Sequence, residues 1–289
     1  RSSLILDVFA SRARTREGKL QTDLAQSEYL LPRLAGQWAH LERLGGGIGT
    51  RGPGESQIET DRRIVRSKIS RLKRELELVR EQRASQRRNR AQGETRIVDL
   101  VGYTNAGKSL LFNRLTDSAV IARDQLFSTL DPTTRRMFLP TGTPAVLTDT
   151  VGFIHKLPPI VVAAFRATLE ELREADLLLH VIDISNPLAA QHAAVVDAIL
   201  GELGLAEIPR INVLNKIDLV GGEAEFSEKD ADAWTRDIGQ EHRAVATSAA
   251  KGLGIDRLRA AIEEELHGGV AVETGTSEGL RNSTGDAPV

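Results

Sequence analysis

The chain has 289 residues, 40% of them hydrophobic, with a formal net charge of −2, six histidines and no cysteine. This length predicts two domains and ample material for a full core, while the lack of cysteine excludes disulfides and thiolate zinc sites and fits a reducing compartment. No apolar run approaches the ~20 residues that cross a bilayer and no secretory segment is present, so a membrane transporter is excluded and a cytoplasmic location is the expectation.

In chain order, the sequence begins Arg1-Ser2-Ser3 and its sole methionine is Met137, which predicts a fragment or a processed product. Residues 4–9 read as a strand, and residues 20–44 as a helix. Residues 45–55 hold too much glycine for a helix or a central strand. Val65, Ile69, Leu72, Leu76 and Val79 then recur at 4-3-4-3 spacing, the seam of a paired helix over 61–90. Its expected antiparallel partner is 20–44, across the glycine segment.

Charge divides the molecule. Residues 1–93 carry 20 Lys+Arg against 11 Asp+Glu, and the remainder carries 18 against 29. Charges outside an apolar seam are usually just a solvated face. Here they become one-signed toward Arg83, Arg87, Arg88 and Arg90, which favours phosphate binding. Aromatic interleaving is missing, so the predicted target is the backbone and shape of structured RNA. The glycine segment with Arg51 reads equally as a linker or as a tip that orders in an RNA crevice.

Residues 97–101 form an apolar run that leads into Gly102-Tyr103-Thr104-Asn105-Ala106-Gly107-Lys108-Ser109. This is a GxxxxGK loop completed by serine, between a strand and a helix. Backbone N–H groups of such a loop converge on phosphates. Lys108 would reach the β and γ oxygens, and the Ser109 hydroxyl would ligate Mg²⁺.

The first switch is expected within 124–136. Within it, Phe127-Ser128-Thr129-Leu130-Asp131-Pro132-Thr133-Thr134 offers several hydroxyls, on Ser128, Thr129, Thr133 and Thr134, that would complete the Mg²⁺ shell and sense the γ-phosphate. Thr129 is the first choice and Thr133 the second; the bland alternative is that these threonines cap a turn around Pro132. Asp149-Thr150-Val151-Gly152 closes the next strand-like run. Asp149 would hold Mg²⁺ through water, and the Gly152 N–H would face the γ-phosphate, where glycine allows close backbone approach.

Asn215-Lys216-Ile217-Asp218 and Ser248-Ala249-Ala250-Lys251 each follow a strand. An Asp218 carboxylate accepts from guanine N1–H and the 2-amino group, which adenine cannot supply; such sites reject the wrong base by roughly 10⁴–10⁵. Lys216 would cover the base, Asn215 would tie this segment to the phosphate loop, and the Ser248, Ala249 and Ala250 backbone would meet guanine O6. Together these motifs imply a GTP/GDP site, with Lys108, Thr129 and Gly152 nearest the chemistry.

Two departures bear on mechanism. The place often held by a water-orienting glutamine holds Phe153, so slow intrinsic turnover and stimulation by a partner are expected. Asn105 offers a side-chain carbonyl to a monovalent cation such as K⁺, or is simply a small polar turn residue.

Beyond residue 95, strands are expected at 97–101, 136–139, 145–148, 177–182, 211–214 and 244–247. Helices are expected at 108–115, 161–175, 188–203, 230–238 and 255–266. Such alternation predicts an α/β fold with a mainly parallel, doubly wound sheet and ligand loops at the carboxyl ends of the strands. The expected domains are 1–93 and 94–267, followed by a disordered tail at 268–289.

GGGIGTRGPGESQIETDRR at 45–63, GYTNAGKS at 102–109, LFSTLDPTTR at 126–135 and DTVGFI at 149–154 make residues 4–266 resemble the HflX-type GTPases, ribosome-associated relatives of the Obg group. The resemblance implies GTP hydrolysis, Mg²⁺ dependence, and binding to the large (50S) ribosomal subunit and its rRNA. It also implies splitting or rescue of stalled ribosomes, with the glycine segment approaching the rRNA. The family begins with a longer N-terminal domain, which this sequence enters midway, so an ATP-related activity of that domain would lack much of its site. A monomer is expected. The competing class is a protein-binding regulatory switch whose basic helices contact an acidic partner; a tRNA-modifying GTPase is disfavoured by the lack of a C-terminal cysteine.

Overall fold

A computed structural model describes residues 2–13, 15–34, 53–91, 95–116, 132–154, 171–220, 228–237 and 242–268. Six strands form one sheet: β1 (Arg96–Gly102), β2 (Thr133–Phe138), β3 (Pro144–Asp149), β4 (Leu177–Asp183), β5 (Arg210–Asn215) and β6 (Ala244–Ala246). Their order is β2-β3-β1-β4-β5-β6. Among the described residues only the β2–β3 pair is antiparallel; β1 sits between β3 and β4, and the remaining pairs are parallel. The mainly parallel α/β sheet agrees with the alternation in the sequence.

Both faces are covered, which is why the central strands read as mostly apolar runs, each with one polar residue inside it (Asp99, His180 and Asn212). Side chains alternate across a strand, so Leu177, Leu179 and Val181 of β4 join one core with Phe112 and Leu258, while Leu178 joins another with Val196 and Leu200. The first face is covered by α4 (Lys108–Thr116) and α7 (Ile255–Gly268), the second by α5 (Ala189–Glu202) and α6 (Glu228–Asp237). Of the segment expected as a helix at 161–175, Glu171–Glu174 is a 3₁₀ turn, and residues 155–170 lie outside the described residues.

The N-terminal part departs from the sequence reading. The segment 4–9 is not a strand but part of α1 (Ser2–Arg12). Ile5, Leu6 and Phe9 are buried on one side while Leu4 is 67% exposed, a helical and not an alternating pattern. Then α2 (Arg16–Leu30) starts at an N-cap, Thr15, whose hydroxyl accepts from the Gly18 N–H at 3.0 Å. It ends at Leu30, just before Pro32, a residue with no N–H to donate, and residues 35–44 of the expected helix lie outside the described residues.

Helix α3 spans Pro53–Ala91 and so begins inside the glycine-rich segment, eight residues earlier than expected. Proline suits a first helical turn because the N–H it lacks would be orphaned there. Residues 45–52 lie outside the described residues. Leu20 and Leu24 of α2 meet Ile69, Leu72 and Leu76 of α3. Ion pairs Lys73–Glu28 at 2.8 Å and Lys68–Asp23 at 3.9 Å flank that seam. Being half-exposed, such pairs contribute little beside the apolar contact, about 0.2–1 kcal/mol each. Among the described residues no helix is long and apolar enough to cross a membrane.

Candidate nucleotide site at the strand ends

The phosphate loop joins β1 to α4. Its shape depends on residues that tolerate left-handed backbone: Asn105 has φ +63° and Gly107 φ +97°. A Cβ on Gly107 would fall 2.3 Å from the Asn215 amide nitrogen, so glycine is required by contact as well as by φ. Lys108 is buried, and its ammonium donates to the carbonyls of Gly102 at 3.1 Å and Tyr103 at 3.0 Å. Burial lowers its pKa to about 8, opposed by the Asp149 carboxylate.

β3 delivers the second motif beside this loop. Asp149 is fully buried at the end of the strand, in register with Leu100, and the Thr150 hydroxyl donates to the Leu100 carbonyl at 2.5 Å. Past it, the chain runs against the loop itself: Thr104 N–H donates to Phe153 O at 2.8 Å, and Phe153 N–H to Gly102 O at 3.1 Å. Gly152 lies between, where a Cβ would sit 2.7 Å from Thr104 Cα and 3.0 Å from the Lys108 ammonium. The Phe153 ring is fully buried among Val101, Leu172, Leu178 and Val196. Val151 and Ile154 face the other way, into a cluster with Ile5, Leu6 and Phe9 of α1 and Ala25 of α2. The segment Asp149–Ile154 is thus seated on the N-terminal helices, a contact no sequence pattern announced.

The base-side motifs converge on Asn215, at the end of β5. Its amide donates to the Ala106 carbonyl at 2.9 Å, and its oxygen accepts from the Ala249 N–H at 3.0 Å and the Thr247 hydroxyl at 3.4 Å. Lys216 has φ +70°, and its ammonium pairs with Asp183 at the end of β4, at 2.7 Å. One oxygen of Asp218 accepts from the Ser248 hydroxyl at 2.5 Å. Within Ser248–Lys251, three of the four backbone N–H groups already have partners: Leu253 O, Asn215 Oδ1 and Ser248 Oγ. The Ala250 N–H is left over among the described residues.

Three supporting residues carried no motif. Arg114 of α4 donates to the carbonyls of Ala249 at 2.9 Å and Ala250 at 2.8 Å, holding the base-side loop from beneath. Arg259 of α7 in turn donates to Arg114 O and Leu115 O, both at 3.2 Å. His192 of α5 stacks on Tyr103, with ring centroids 3.8 Å apart and planes 5° from parallel. Burial lowers the His192 pKa, against the pull of Asp183.

Residues 127–131, and with them Thr129, lie outside the described residues. Thr133, the second choice for the switch threonine, opens β2 in register with Asp149. Among the described residues no group of three or more His, Asp or Glu side chains gathers as a metal cluster. The Ser109 hydroxyl and the Asp149 carboxylate are both buried oxygen donors beside the phosphate loop, a donor set that suits a hard divalent cation also held by phosphate and water.

Residues 12–90 match the family model "GTP-binding GTPase Middle Region", and residues 97–216 match "50S ribosome-binding GTPase". A protein named GTPase HflX from Caldanaerobacter subterraneus is 49% identical over 92% of this chain and 59% of its own length. Its namesake from Escherichia coli is 50% identical over 95% of this chain and 63% of its own. The chain belongs to the HflX-type GTPases.

A crystal structure of a GTP-binding protein from Sulfolobus solfataricus in complex with GDP superposes with a TM-score of 0.59. The two are 25% identical, over 92% of this chain and 72% of that one. The present HflX-type chain spans about three-fifths of the length of the curated relatives it matches.

Proposed function

We propose that this chain binds GTP with Mg²⁺, hydrolyses it to GDP and phosphate, and uses that cycle on the large ribosomal subunit to split or rescue ribosomes. The observation that carries the nucleotide reading is the convergence on Asn215, which ties the Lys108 loop and the Asp218 and Ser248 segments into one hydrogen-bond network. A phosphate cradle built into the same hydrogen-bond network as a carboxylate matched to guanine is a device for selecting a guanine triphosphate.

In this reading Gly102–Ser109 cradle the phosphates, and Lys108 neutralises charge that develops on the transferred group. Ser109 and Thr129 would ligate Mg²⁺, with Asp149 joined through water; the ion would supply positive charge against the phosphates. Residues 127–131 and Asp149–Gly152 sense the γ-phosphate, and Asn215–Asp218 with Ser248–Ala250 hold the base. Asn105 would offer its carbonyl to K⁺ beside the phosphates. Equal turnover in K⁺ and Na⁺ at matched ionic strength would remove that role.

Phe153 cannot orient a water from its buried seat, so turnover by the chain alone is slow and a partner raises it by ~10³–10⁵. Support for the ribosome as that partner comes from the 50S-binding name of the matched family model and from the basic helix α3. Co-sedimentation with 50S subunits tests it. Pelleting with a non-hydrolysable GTP analogue, weaker pelleting with GDP, and stimulation of GTPase rate that fades with salt are the expected results. Equal, negligible pelleting in both states would turn the reading toward a protein-binding switch. Calorimetry showing no preference for GTP over ATP would overturn the nucleotide assignment itself.

A further inference from the structure

Tyr103 is the second residue of the phosphate loop, and an unusual amount of structure meets there. Its carbonyl accepts from the Lys108 ammonium at 3.0 Å and from the Ala106 N–H at 3.3 Å. Its backbone pairs with Phe153 in a parallel bridge. Its ring touches two apolar clusters at once. One contains Val151 and Ile154 with α1 and α2; the other contains Phe153 under α5. The flat face of the ring rests on His192.

The platform under that ring is rigid. Ala193, Val196 and Leu200 on the buried side of α5 are all at most 1% exposed, so the backbone that carries His192 is fixed to the sheet. The loop above is the softer partner. Asn105 sits in the left-handed region, which asparagine enters more readily than other side chains bearing a Cβ but still less readily than glycine. A cavity of about 40 Å³ adjoins this stretch, lined by Thr104, Asn105, His180, Asp183, Asn186 and His192. Space of that kind is what the loop would relax into if its support were removed.

We propose that His192 is a positioning residue for the nucleotide: by stacking on Tyr103 it holds the first turn of the phosphate loop, and so lengthens the residence of bound guanine nucleotide. The requirement is for a planar ring. An aliphatic side chain of similar size would fill the space, yet would not fix the plane of Tyr103. The proposal rests on the reading of this pocket as a guanine-nucleotide site, and goes beyond it in assigning a role to a helix α5 residue outside every nucleotide motif.

The test is release of fluorescent methylanthraniloyl-GDP in stopped flow, with wild type, His192→Ala, His192→Leu and His192→Phe, each checked by circular dichroism and thermal midpoint. Aromatic stacking in this geometry is of a size that speeds release about threefold to tenfold when lost. His192→Ala and His192→Leu should both show that acceleration, with KM for GTP rising in step and kcat within about twofold. His192→Phe should release GDP near the wild-type rate. Release from His192→Ala at the wild-type rate, or Leu and Phe variants that behave alike, would overturn the positioning role. A wild-type chain that fails to bind the probe at all would overturn the nucleotide reading along with it.

Discussion

Asn215 and Ala106, 109 positions apart in the chain, are joined by a 2.9 Å hydrogen bond from the side-chain amide to the backbone carbonyl. That bond closes the phosphate loop onto the base-side loop, and the same side chain accepts from Ala249 N–H. Asn215 is 1% exposed, so water cannot replace either partner. Asn215→Ala should therefore lower stability by about 2–3 kcal/mol, given ~1–3 kcal/mol for each buried polar group left unpaired. GDP affinity should fall at least tenfold in the same variant, since both halves of the pocket lose their link. Urea denaturation and calorimetric titration with GDP check the two effects separately.

Two glycines should respond to alanine in opposite directions. At Gly107, φ is +97° and the new Cβ meets the Asn215 amide at 2.3 Å, so Gly107→Ala should destabilise by more than 1 kcal/mol and abolish nucleotide binding. At Gly201, inside α5, nothing lies within 4 Å of the added Cβ. Gly201→Ala should stabilise by about 0.5–1 kcal/mol through helix propensity and reduced unfolded-state entropy, with GDP binding unchanged. Thermal midpoints of the two variants, read beside GDP titrations, decide both.

His180 on β4 should make the fold acid-sensitive. Burial, reinforced by the Arg210 cation, lowers its pKa to about 3 from the ordinary 6.5. Below pH 6.5 the unfolded chain takes up a proton that the folded chain refuses, so stability is full above 6.5 and declines as pH falls toward 3. Between pH 6.5 and 5 the loss from this one residue should reach about 2 kcal/mol, at ~1.36 kcal/mol per pH unit. Comparing denaturation of wild type and His180→Gln at pH 5 and 7.5 isolates the effect. The variant should lose correspondingly less on acidification; equal losses would show that His180 does not carry the dependence.

Arg114 should matter to the base-side loop more than its exposed position suggests. Its fork reaches two successive carbonyls, Ala249 and Ala250, at 2.9 and 2.8 Å. Arg114→Ala should weaken GDP binding about threefold to tenfold with little change in thermal midpoint. Arg114→Lys should not restore it, because a single ammonium does not reproduce two diverging N–H donors. Fluorescence titration with GDP and melting of both variants test this.

What was legible in the sequence was what short-range rules encode. Gly102–Ser109 and Asn215–Asp218 stood out because their backbone geometry demands particular residues in consecutive places, and the apolar runs marked strands buried on both faces. Residues 4–9 misled because six residues with apolar side chains at 4, 5, 6, 8 and 9 do not separate a period of 2 from one of 3.6. The docking face on Val151 and Ile154 is what selects the helix there. Glycine content delayed the expected start of α3, although Pro53 at its head was the better signal.

The sequence alone determined which residues carry charge, hydroxyl and amide groups into the strand-end loops, because loop shape and strand pattern are local matters of φ, ψ and hydrophobic period. Only the tertiary structure decided what stands behind them. Arg114 beneath the base-side loop, His192 under Tyr103, Phe153 sunk in the core and α1 against Val151 are contacts between distant segments. They depend on how the sheet and its helices pack, and packing leaves no periodic trace in any one stretch of chain.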